Sequence, residues 1–210
     1  NIRGQRIDSR LSAKDIEGQQ MSRCLALDLG ANLGYALFDG AKLIDYGVIR
    51  LPSAPSKKDG TILARRFKII NGLIIKYADR IDEVAYECTD WFLPANKGEN
   101  FVGRLIREKK NRVVQRALGK IEALIEAACV VNNKIAVAVT VHEAKKNVTG
   151  KGNAGKDAVT KAVMDIFVSI GSSLQQDAID AISVGLVLVA RDDPLWRMTI
   201  SGGNMVVDEL

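Results

Sequence analysis

The chain predicts an α/β fold, a mixed five-stranded sheet with helices on both faces, and three observations carry that prediction. The first is a set of short apolar stretches over 23–28, 34–38 and 43–51, punctuated by Gly30 and the Asp39-Gly40 pair, which reads as an antiparallel meander. The second is the alternation of helix-period and strand-like segments that follows, which suits parallel strands added to the meander. The third is where the acids stand. In Cys24-Leu25-Ala26-Leu27-Asp28-Leu29-Gly30 a single carboxylate interrupts an apolar strand at its end. An unpaired carboxylate against a packed sheet is costly, so Asp28 is expected to point into a shared site, with a metal the natural occupant.

The elements follow in order. Arg23 to Asp28 reads as a buried strand, Gly34-Tyr35-Ala36-Leu37-Phe38 as a second, and Leu43 to Leu51 as a third, stopped by Pro52 and the Pro55-to-Gly60 loop. Thr61 to Tyr77 has the helical period, with Ile62, Phe67, Ile70, Leu73, Ile74 and Tyr77 on one face. Val84-Ala85-Tyr86-Glu87 is a short strand that again ends on a carboxylate, and residues 88–103 read as irregular. Asn111 to Cys129 predicts a long amphipathic helix with a basic polar face, and Ile135 to Val141 a fully apolar strand. A glycine- and lysine-rich loop is expected from Lys145 to Lys156, then helices over Asp157–Phe167 and Asp177–Val189, with Pro194 closing the core. There is no internal repeat. Residues 21–195 read as one domain, 196–210 as a tail, and 1–20 as a flexible N-terminal extension or cloning remnant ahead of a natural start at Met21.

Bulk properties narrow the function classes. With 210 residues, 47% apolar and 26% charged, the chain has the composition of a soluble globular protein with a real core. A net charge of +5 and a pI near 9.1 favour a polyanionic partner. Cys24, Cys88 and Cys129 are an odd number lying in apolar segments, which argues for a reducing, cytoplasmic compartment (the host's cytoplasm for a phage protein) and against a disulfide framework or zinc site. His142 is the only histidine, so histidine-rich metal sites and paired catalytic histidines are excluded. The longest apolar run, Ala181 to Ala190, is too short to span a membrane, and residues 1–20 lack the apolar core of a signal peptide.

Four acids form the candidate site. Asp28 and Glu87 end strands that can lie side by side, while Asp177 and Asp180 are three apart on one helix face. Each has a bland explanation alone: Asp177 and Asp180 suit the first turn of a helix, and Glu87 can pair with a lysine. Together, without a histidine or cysteine cluster, they suit a hard cation, magnesium or manganese. Two such ions can activate water and stabilise the leaving oxygen of a phosphodiester, so the residues point to a metal-dependent nuclease.

The motifs resemble the RuvC-type Holliday-junction resolvases of the RNase H-like superfamily. Leu27-Asp28-Leu29-Gly30 with Gly34-Tyr35-Ala36 is similar to that family's first-strand motif, Tyr46-Gly47-Val48-Ile49-Arg50 to its third strand, and Ala85-Tyr86-Glu87 to its acidic fourth. Asn147-Val148-Thr149-Gly150-Lys151-Gly152-Asn153-Ala154 with Lys156 resembles its glycine loop, and Asp177-Ala178-Ile179-Asp180-Ala181-Ile182 its closing helix. The resemblance covers residues 23–190. It implies a homodimeric endonuclease that cuts four-way DNA junctions symmetrically with two magnesium ions per site, manganese substituting, in recombination and repair. Asp28, Glu87, Asp177 and Asp180 would be the ligands, with Lys151 and Lys156 near the scissile phosphate and a 5′-phosphate and 3′-hydroxyl as products. The segment after Glu87 is longer than in typical bacterial members, which fits a diverged, phage-like protein with broader branched-DNA activity.

The basic residues and aromatics suggest how DNA would be held. From Arg104 to Lys120 there are seven basic residues against one acid, among them Arg104, Arg107, Lys109, Lys110 and Arg112, a stripe that can follow phosphates or simply form a solvated helix face. Lys145, Lys146, Lys151 and Lys156 add charge near the site. Trp91 or Phe92 can stack on an unpaired base or pack its own loop. The apolar side of the 111–129 helix serves the core and, by the resemblance, a dimer contact.

Gly150 to Lys156 fits a GxxxxGK phosphate loop, but Asp157 stands where a magnesium-binding hydroxyl is needed, so no nucleotide cofactor is expected. Asp28-Leu29-Gly30 also resembles the first phosphate motif of sugar kinases and actin, which need two facing domains where this chain has room for one. The remaining rivals are a non-catalytic branched-DNA binding protein and an RNase H-like nuclease acting on RNA–DNA hybrids.

Overall fold

The computed structural model describes residues 23–53, 61–88, 101–167 and 174–192, with the backbone alone for 101–115. The expected extension, the tail, and residues 89–100 of the expected irregular 88–103 segment, with Trp91 and Phe92, lie outside the described residues, while Cys88 ends a strand and 101–103 are helical rather than irregular.

The sheet has the expected mixed topology. Its strands are β1 (Arg23–Leu29), β2 (Asn32–Asp39), β3 (Lys42–Arg50), β4 (Glu83–Cys88) and β5 (Ile135–Thr140), in spatial order β3-β2-β1-β4-β5. The first three are an antiparallel meander, turning at Asp39-Gly40, and β4 and β5 add parallel to β1. This is the RNase H-like arrangement of an α/β fold.

Alternation along the strands divides the core into two layers. Cys24, Ala26, Ala36, Phe38 and Ala85 face α3 (Val141–Thr149), α4 (Lys156–Ile166) and α5 (Gln176–Asp192). Leu25, Leu27, Leu33, Leu37, Val84 and Tyr86 face α1 (Thr61–Lys76) and α2 (Phe101–Val131). The α5 helix is buried on almost every face because it crosses the centre of the sheet. The Asp28 and Glu87 positions share parity with Ala26 and Ala85, so both carboxylates emerge on the α5 side, at the carboxyl ends of adjacent strands.

Two expectations are corrected. The expected loop over 145–156 is half helix, since α3 runs to Thr149, α4 starts at Lys156 and only 150–155 is loop. A capping box builds that helix: Thr140 Oγ1 accepts from the Glu143 N–H at 3.1 Å, and the Thr140 N–H donates to Glu143 Oε2 at 2.9 Å. Gly150, at φ 73°, ends it in the left-handed conformation that a side chain would resist. The second correction is α2, which starts at Phe101 rather than Asn111, so the basic residues 104–112 are helical.

Candidate active site

Asp28, Glu87 and Asp180 line one cavity of about 220 Å³, together with Lys145, Lys156, Val141, Ala144, Val159 and Ser183. The topology explains the convergence. β1 and β4 are neighbours and present Asp28 and Glu87 from one end of the sheet, and α5 begins beside them. Its approach depends on Gly34, opposite Asp28 on β2, because a Cβ there would collide with the Asp177 carbonyl. α3 and α4 supply Lys145 and Lys156 from the far wall.

The carboxylates are under electrostatic stress. Asp28 is only 8% exposed, and burial, then Glu87, Asp180 and Asp177, push its pKa up to about 8 against the opposing pull of Lys156. Burial and Asp180 raise Glu87 to about 7, with Lys145 and Lys156 pulling it down. Asp180 is also raised, chiefly by burial, while its hydrogen bond from Gln176 opposes the shift. Neither the Asp28 nor the Glu87 carboxylate accepts a hydrogen bond from another described residue. Such acids fit a hard cation, which would reward the charge that burial penalises. Among the described residues no three potential ligands stand close enough to form a ready-made metal cluster, so the acids are joined by their cavity and their mutual repulsion.

Two amides that the sequence reading missed orient the α5 acids. Asn32 Nδ2 donates to Asp177 Oδ2 at 3.0 Å, and Gln176 Nε2 donates to Asp180 Oδ1 at 2.8 Å. Gln176 is itself held by Thr160 Oγ1 at 3.4 Å. The Gln176 bond had a legible signal, the i to i+4 spacing on one helix. Asn32 had none, since 145 residues separate it from its partner.

The other expected residues fall at different distances from the cavity. Asp177 adjoins it without lining it, turned toward Asn32. Lys146 is exposed on α3, and Lys151 is exposed on the loop after it. That loop is held by Thr149 Oγ1, which accepts from the Lys151 N–H at 3.1 Å, and by Gly152 lying against the His142 ring. Arg104, Arg107, Lys109, Lys110 and Arg112 fall on α2 where side chains are not described.

The fold is a RuvC-like, RNase H-like α/β arrangement, with a carboxylate-lined cavity at the end of its sheet. No family model matches the chain, and no curated protein matches it in sequence. Among solved structures it is similar to the Thermus thermophilus RuvC structure, with a TM-score of 0.57 at 18% identity over 80% of this chain and 95% of that one. It is similar also to T. thermophilus RuvC in complex with Holliday junction substrate, with a TM-score of 0.56 at 17% identity, covering 79% of this chain and 92% of that one. At such identity the likeness is one of fold.

Proposed function

We propose that this protein is a magnesium-dependent endonuclease that resolves four-way DNA junctions by paired phosphodiester hydrolysis, acting as a homodimer. The observation that carries the proposal is the shared cavity, where acids from β1, β4 and α5 face two lysines, in a fold that RuvC also has. RuvC has been solved with a Holliday junction substrate, which supports branched DNA as the partner.

Asp28, Glu87 and Asp180 would hold divalent ions, with Asp177 completing the set. Bound magnesium or manganese supplies Lewis acidity and a more acidic attacking water. The chain's own groups do the rest. Asn32 and Gln176 hold the two α5 carboxylates in orientation, so less reorganisation is needed when substrate arrives. Lys156 and Lys145 offset the charge that builds on the phosphoryl oxygens, and exposed Lys146 and Lys151 contact the flanking backbone. Water adds to phosphorus as the bond to O3′ breaks. The hydroxyl stays on the 5′-phosphate and the proton ends on the 3′-oxygen.

The test is cleavage of a labelled four-way junction beside a linear duplex of matching sequence and an RNA–DNA hybrid, each with magnesium and with chelator. Paired symmetric nicks in the junction alone, lost in chelator, are expected. Equal cutting of all three would instead establish a general RNase H-like nuclease, and junction binding without cutting would establish a binding protein.

A further inference from the structure

A second basic feature lies away from the carboxylates. Between the end of β3 and α1 runs a shallow groove of about 570 Å³, lined by Arg50, Leu51, Pro52, Ser53, Arg65, Lys68 and Ile69. Its three cations are exposed, and among the described residues no acid lines it. Among the described residues none of the three is held in an ion pair or hydrogen bond. The neighbouring Arg66 is committed differently, donating to the Pro52 carbonyl at 3.2 Å and so fixing the wall of the groove against α1. Leu51, 3% exposed, and half-buried Ile69 give it an apolar floor along which long cationic stems can lie.

The register places this groove at the catalytic end of the sheet. Asp28 pairs with Gly34 and Gly34 with Val48, so Arg50 lies two residues beyond the Asp28 row on the third strand across. With strands ~4.8 Å apart and a rise of ~3.4 Å per residue, the Arg50 backbone stands about 12 Å from that of Asp28. The groove opens on the α1 face and the carboxylates on the α5 face, at the same end of the sheet, so a duplex arm seated at the carboxylates brings its flanking phosphates, spaced by ~3.4 Å along one strand of the helix, to the groove by passing over that end. The shape favours an extended polyanion over a free nucleotide, because an open trough offers no enclosure for a base. Arg65 and Lys68, three apart on one helix face, are set to meet successive backbone oxygens.

We propose that Arg50, Arg65 and Lys68 form a second phosphate-backbone site, which grips the flanking arm of the nucleic acid whose scissile phosphate lies at Asp28 and Glu87. The inference rests on the nuclease reading above. Its consequence is that these residues set affinity and salt dependence, since backbone contacts position the duplex without reading its sequence.

The test is equilibrium binding of a fluorescent four-way junction to the full chain in chelator, across a salt series. Wild type would be compared with Arg65→Gln, Lys68→Gln, the Arg65→Gln/Lys68→Gln pair, and Lys42→Gln. Lys42 is an exposed cation at the opposite end of β3 and serves as a control for lost net charge. Each groove substitution should weaken binding and reduce the slope of log affinity against log salt by about one. The double variant should lose about two, with Lys42→Gln unchanged and melting temperatures preserved throughout. If wild type binds and the groove variants match it, or if Lys42→Gln lowers the slope equally, the groove proposal falls while the nuclease reading stands. If wild type does not bind the junction at any salt concentration, both fall.

Discussion

At Asp28 the geometry and the electrostatics meet. Its carboxylate is buried beside Glu87, Asp180 and Asp177, and its pKa is raised to about 8, where an unfolded chain would give about 3.9. Between those values the folded protein keeps a proton that the unfolded chain has released. That stabilising proton is fully held below about pH 4 and is lost as pH rises through about 8. Without divalent ions, the melting temperature should therefore fall by several degrees as pH climbs through this window. Asp28→Asn should flatten the decline and melt higher than wild type at the alkaline end, and a calorimetric scan series at several pH values would show it. Magnesium should restore wild-type stability at the alkaline end only, because ligands must be deprotonated to bind it. Asn32 makes a subtler prediction. Asn32→Ala leaves Asp177 without its amide donor, so the magnesium concentration for half-maximal cleavage should rise several-fold with chelator-state junction binding unchanged. An unaltered magnesium titration would remove Asn32 from the site's architecture.

At the scale of elements, α3 and α5 decide whether the cavity forms. The α3 signature was present in the sequence as Thr140-Val141-His142-Glu143, a capping box directly after an apolar strand. The cluster of Gly150, Gly152 and Gly155 with four nearby lysines outweighed it, although the glycines fall only after the helix has ended. Thr140→Ala should cost about 1 kcal/mol in a urea titration, the usual loss for a removed cap. Gly34 was read only as part of a motif. Its structural reason is the approach of α5, and that needs the three-dimensional register. Gly34→Ala should lower the melting temperature and the cleavage rate together, since α5 must shift and carries Asp177 and Asp180 with it. A variant with wild-type cleavage would show that α5 tolerates displacement. The early start of α2 escaped notice because the basic run hides the apolar period on which helices are recognised.

Across the whole molecule, the meander and the parallel additions were legible because alternation and turn chemistry are local. The four acids were legible because strand ends are unusual places for charge. Asn32, Gln176 and the Arg50–Arg65–Lys68 groove were harder to see, since most of these relations are made by strand register and helix docking. β5 shows the same limit: it is apolar, yet it forms the sheet edge, and Ile135 stays 61% exposed near Val130 and Val131 at 76% and 66%. That exposed apolar patch supports the proposed pairing of two chains. Paired cuts in a symmetric junction require two cavities, and light scattering should give twice the 22.8 kDa mass of one chain. A monomeric mass under conditions of paired nicking would contradict the homodimer.

The most direct test of the carboxylate cavity as the catalytic centre compares wild type with Asp28→Asn on one labelled four-way junction, scoring binding and magnesium-dependent cleavage in the same samples. Neutralising Asp28 should abolish cleavage and leave binding intact or tighter, because the variant removes negative charge facing a polyanion. Cleavage by Asp28→Asn at the wild-type rate would place the chemistry elsewhere in the molecule.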